Sequence, residues 1–79
     1  MGTEVLVECG VSEGMFSDEA VVEVAKRSFV VPASTVKVMG DKRGRVRARL
    51  VKSPDREWIV LPTVYSDSIP ISSAVIVKE

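Results

Sequence analysis

Three arginines, Arg45, Arg47 and Arg49, alternate with Val46, Ala48 and Leu50 in the stretch Arg-Val-Arg-Ala-Arg-Leu. Residues two apart on a strand share a face, so the three guanidinium groups would stand in a row at roughly 7 Å intervals. Such a row can neutralise successive phosphates of a nucleic acid, hold another anion, or pair with carboxylates. Lys42 and Arg43 just before it, and Lys37 further upstream, would extend the same basic surface. These six residues, Lys37, Lys42, Arg43, Arg45, Arg47 and Arg49, form the candidate site.

Other chemistry is sparsely provided for. The chain contains no histidine, so it lacks the commonest general base near neutral pH and the commonest metal ligand, and no serine or cysteine nucleophile can be activated by one. Cys9 is the single cysteine and falls on the inward side of an alternating stretch, where a thiol serves as a small hydrophobe. Glu4, Glu8, Asp18, Glu19 and Glu23 could pair for acid–base work or hold a hard cation. Acids on strand exteriors and in a first helical turn, however, already have structural reasons to be there. Gly40-Asp41-Lys42-Arg43-Gly44 is basic and contains two glycines, yet it joins two strands and lacks the spacing and following helix of a phosphate loop. The sequence therefore predicts no enzyme, no metal and no cofactor.

The basic row needs a sheet to hold it. Val36 to Leu50 reads as a β-hairpin that sends Val46, Ala48 and Leu50 to a core, with Gly40 and Gly44 supplying the positive φ of the turn. Thr3 to Cys9 alternates as a first strand, with Glu4, Leu6 and Glu8 on one side and Val5, Val7 and Cys9 on the other. Leu6 among the glutamates implies that this outer face is partly covered. Gly10 to Gly14 reads as a loop. Ser53-Pro54-Asp55-Arg56 is a turn signal leading into Glu57 to Leu61, a strand closed by Pro62, so the three strands from Val36 to Leu61 form a meander. Trp58 stands between charged Glu57 and apolar Ile59, and a core position is favoured for it over a binding aromatic. Thr63 to Ser73 reads as an extended loop and Ala74 to Val77 as a last short strand.

Between the first strand and the hairpin the sequence predicts a helix from about Asp18 to Ser28. Ser17 is placed as its N-cap, Phe16 and Val21 as a hydrophobic staple, and Lys26 and Arg27 in the last turn. Val21, Val24 and Ala25 would be its buried stripe, with Ala20 and Val22 at the margins. Asp18-Glu19-Ala20-Val21-Val22-Glu23-Val24, followed by Val31-Pro32-Ala33-Ser34-Thr35-Val36-Lys37-Val38 and a basic hairpin, resembles the YggU-like family of small uncharacterised proteins over residues 18 to about 50. The resemblance implies a helix packed on a sheet and carries over no functional residue. The expected fold is thus α+β: a twisted, mostly antiparallel sheet of about five strands with one helix on one face, in a single domain over residues 1–79.

Length and charge bound the function. A chain of 79 residues buries only about 60% of the surface its unfolded form exposes, so a partner subunit would help it. Net charge is zero, but residues 1–25 hold six acids and no base, while residues 26–56 hold ten bases and two acids. Either the basic segment meets an external anion or the acidic and basic elements meet each other in the fold. Should the first strand lie beside the arginine strand, Glu4 and Glu8 would sit across from two of the arginines. No apolar run approaches the ~20 residues that span a bilayer, and the opening alternates instead of forming a basic-then-apolar leader. The expectation is a cytoplasmic, non-catalytic interaction or assembly module, working as a homo-oligomer or with a protein partner through a basic strand face and a free sheet edge, and not on a membrane. The alternative is an RNA- or DNA-binding domain contacting phosphates through the Lys42 to Arg49 hairpin, with Trp58 or Tyr65 stacking on a base.

Overall fold

Alternation of apolar and polar residues, rather than helical periodicity, decides the long elements of this chain. The computed structural model describes residues 2–77. They form eight strands: β1 (Gly2–Glu13), β2 (Glu19–Val24), β3 (Arg27–Pro32), β4 (Val36–Gly40), β5 (Arg43–Ser53), β6 (Arg56–Val60), β7 (Ser68–Pro70) and β8 (Ile76–Val77). The only helical pieces among the described residues are two single 3-10 turns, Ala33–Thr35 and Ile71–Ser73. The expected α+β domain is therefore corrected to an all-β fold.

Every strand pair is antiparallel, and β1 and β5 make the spine, in continuous register from Gly2 opposite Val51 to Gly10 opposite Arg43. Each spine strand shares its outer edge between two shorter ones. Along β1, β2 takes the Gly10–Glu13 end and β8 pairs at Leu6 and Val7. Along β5, β4 pairs with Arg43 to Val46 and β6 with Arg49 to Ser53. The expected meander thus fails in one respect: β4 and β6 lie end to end on the same side of β5, because β1 occupies the whole of the other.

Strands β3 and β4 stand at opposite ends of the path β3-β2-β1-β5-β4, yet only the Ala33–Thr35 turn joins them. Three residues cannot cross a flat sheet five strands wide. The sheet must curl, and it does so into a half-barrel. Its concave side holds one core, built from Val7, Cys9, Ala20, Val22, Val24, Phe29, Val31, Val46, Ala48, Ile59, Leu61 and Ile69. The curl covers the face that a helix was expected to cover. Val46 and Ala48 are buried as expected, and Leu50 packs half-buried against the cluster.

The segment predicted as a helix is strand β2, then a turn, then the start of β3. Ala20, Val22 and Val24 point into the core at a spacing of two, while Glu19, Val21 and Glu23 face out. Ala25, expected in the buried stripe, is exposed, and it and Lys26 have positive φ (54° and 64°). Two consecutive positive φ values mark a type I′ hairpin turn. Three valines among the residues from Val21 to Val24 resist a helix, and β1 offers them a ladder from Glu13 to Gly10. The helix implied by the YggU-like resemblance is absent for the same reason.

Two further expectations change. The loop expected over Gly10 to Gly14 gives way to strand, since β1 continues from Gly10 through Glu13. In the β4–β5 turn the positive φ belongs to Lys42 (58°), and no described glycine has one. Gly44 serves close approach instead: a Cβ there would lie 2.5 Å from the Lys37 carbonyl oxygen. The tail pairs within its own chain, β7 with β6 and β8 with β1.

Candidate interaction face

Strand β5 lies between β1 and β4–β6, and its odd-numbered residues point to the convex side. Arg43, Arg45, Arg47 and Arg49 form a single row there, Arg45 half-buried and the others exposed. The neighbouring row on β1 is Gly10, Glu8, Leu6 and Glu4, in register with those four arginines in turn. The placement of Glu8 opposite Arg45 and Glu4 opposite Arg49 is the arrangement anticipated from the charge pattern. Among the described residues the closest ion pair is diagonal: Arg47 Nε lies 3.4 Å from Glu4 Oε1, both side chains more than half exposed. An exposed pair of this kind contributes about 0.2 to 1 kcal/mol.

Leu6 sits in the same outward row, flanked by Arg47 and Val77, and is half-buried between them. The arginine stems cover apolar surface while their heads stay in water. Arg49 also lies across Gly2, where any added Cβ would collide with its Cδ and Cγ.

The remaining sequence-derived site residues are partly gathered in. Lys37 on β4 stands directly opposite Arg45, so Arg45 has a carboxylate neighbour on one side and an ammonium on the other. Lys42 is at the turn, exposed, its carbonyl accepting a hydrogen bond from the Val11 N–H. Arg43 is flanked by Gly10 and Gly40, so no side chain stands beside it on either adjacent strand. Across Gly10 comes Glu23 of β2.

Trp58, for which the core was favoured, belongs to this convex face, because its neighbour Ile59 takes the core position. It pairs with Val51, one step beyond Arg49 along β5, and the Arg56 guanidinium stacks over its ring at 5.2 Å. Tyr65 is 87% exposed and lies on the loop after β6. Cys9 is in the core, and burial pushes its thiol up to about 11. At neutral pH it is protonated and a poor nucleophile. Among the described residues no group of three or more metal-ligating side chains converges, and no helix is long and apolar enough to cross a membrane.

Sequence reasoning missed one feature. Ser28 to Pro32, hidden inside the supposed helix and its exit, forms an edge strand beside a groove of about 620 Å3 that the Pro62 to Asp67 loop faces. The Phe29-Val30-Val31 run was the available signal. No family model, curated protein or solved structure matches this chain.

Proposed function

We propose that this chain is a non-catalytic interaction module that associates with a second copy of itself through the convex face of β1 and β5. The observation that carries the reading is the side-by-side register of an acidic stripe, Glu4, Leu6 and Glu8, with a basic stripe, Arg45, Arg47 and Arg49. Adjacent strands lie about 4.8 Å apart, so a two-fold partner laid on this face sets each acidic stripe on a basic one. Such a surface is self-complementary, as a two-fold interface requires, and Leu6 gives it an apolar centre.

Sedimentation equilibrium of the 8.6 kDa chain tests this. The expected outcome is a concentration-dependent mass near that of a dimer, reduced by added salt and lost in R45S/R47S/R49S. A single 8.6 kDa species at every concentration and salt overturns it.

A second reading has its own support. Lys37, Arg43, Arg45, Arg47 and Arg49 share the convex face with Trp58, which combines phosphate contacts with a ring for base stacking. Adding a short mixed-sequence RNA to the same experiment separates the two. A mass increase with RNA that falls steeply with salt favours nucleic acid.

A further inference from the structure

We propose that the seam of the half-barrel, along the free edge of β3, binds an extended peptide strand that alternates apolar and basic residues. β3 ends the sheet, and among the described residues β2 is its only partner. The Ala33 N–H donates to the Asp18 carbonyl, and hydrogen-bonded pairs recur every second residue in an antiparallel ladder. Counting back along the register, Val31, Phe29 and Arg27 direct their backbone groups to β2. Ser28 and Val30 therefore present N–H and C=O to the seam, where the ladder ends because the Pro32 C=O already accepts from the Thr35 hydroxyl at 2.7 Å. An added strand could form main-chain hydrogen bonds at these positions, as in other sheet-edge recognition.

The side chains beside this edge define the ligand. Val30, Val64 and Tyr65 are exposed at 51%, 92% and 87%, and all three line the same groove together with Pro32 and Pro62. Apolar surface gathered beside an open strand edge is a binding feature rather than random scatter. Every charged residue lining the groove is acidic, namely Asp18, Glu19 and Asp67. Three carboxylates with no lining cation select against acidic peptides and for lysine or arginine. The loop is braced for the role: Thr63 Oγ1 donates to Asp67 Oδ2 at 2.7 Å and accepts from the Asp67 N–H at 2.9 Å. The Leu61 N–H donates to the Asp67 carbonyl, which closes the same loop.

The test is a nuclear magnetic resonance titration of the intact protein with a blocked Lys-Val-Lys-Val-Lys peptide. The expected shifts fall on Ser28, Val30, Val64 and Tyr65. Binding should weaken about tenfold in D18N/E19Q and disappear in V30P, which removes a donor that β2 does not use. A peptide N-methylated at its central valines should lose binding to the unaltered protein, so the main-chain claim does not depend on a variant folding. R45S/R47S/R49S should bind the peptide unchanged, which separates this seam from the convex face. Equal binding of Glu-Val-Glu-Val-Glu, indifference to N-methylation, or shifts centred on the arginine row would each overturn the proposal, as would absence of binding.

Discussion

Cys9 illustrates how one buried group ties stability to pH. Its thiol is held near 11 in the fold by desolvation, against 9.0 as the ordinary value. The folded state therefore favours the protonated form. Its contribution is complete below pH 9 and is lost as pH rises toward 11, because only the unfolded chain can ionise easily in that window. The unfolding free energy from denaturant titrations should fall between pH 9 and 11 by an amount on the order of 1 to 2 kcal/mol, and Cys9→Ala should flatten that slope while lowering stability at neutral pH. Thiol reagents should label native protein slowly and unfolded protein fast. The burial of Cys9 was legible in the sequence, since Val5, Val7 and Cys9 share one side of an alternating strand. The side taken by Trp58 was not legible, because Glu57 and Ile59 flank it with one residue of each kind.

The elements separate by how they announce themselves. β1 and β5 alternate over five or more residues, and their existence and facing could be read directly, whereas β6 could be read as a strand but not for its facing. Glu4 and Glu8 opposite arginines followed from charge alone. β2 could not be read, because its few residues satisfy two periodicities at once: Val21, Val24 and Ala25 suit a helix, Ala20, Val22 and Val24 suit a strand. Ser17-Asp18-Glu19 then imitated a helix start. The deciding feature, the hairpin turn at Ala25-Lys26, carries neither of the residues that usually mark it. L-residues with a side chain are strained in the left-handed region, so A25N/K26G should stabilise the protein by about 1 kcal/mol. Thermal unfolding checks this, with an expected rise of roughly 4 to 8 °C for that gain in a chain of this size. A lower midpoint would mean that Ala25 or Lys26 makes contacts that outweigh the strain.

For the molecule as a whole, one core serves all the strands, but the strands do not share it equally. Val7 and Val46 face each other across the spine and are fully buried, whereas among the described residues β8 pairs with β1 at Ile76 and Val77. Amide hydrogen exchange should be slowest at the paired centres of β1 and β5, requiring global unfolding, and fastest in β7 and β8, which can open locally. Protection in β8 equal to that of the spine would show the tail to be part of the cooperative unit. The curl that hides this core was not legible from sequence because it depends on a connection, the three residues between β3 and β4, whose meaning appears only once both strands are placed. The α+β expectation followed from needing a cover for the sheet; the sheet provides its own.

The long register between β1 and β5 also has a consequence in time. Gly2 pairs with Val51, and Gly10 with Arg43, so on the ribosome β1 waits for a partner made some forty residues later. At about 5 to 20 residues per second that delay is roughly 2 to 8 s. During it the β2–β3 hairpin can close locally, while one edge of β1 stays open to any other chain nearby. The glutamates at positions 4 and 8, which later face arginines, would in that interval be the nascent strand's protection against joining a neighbour's sheet.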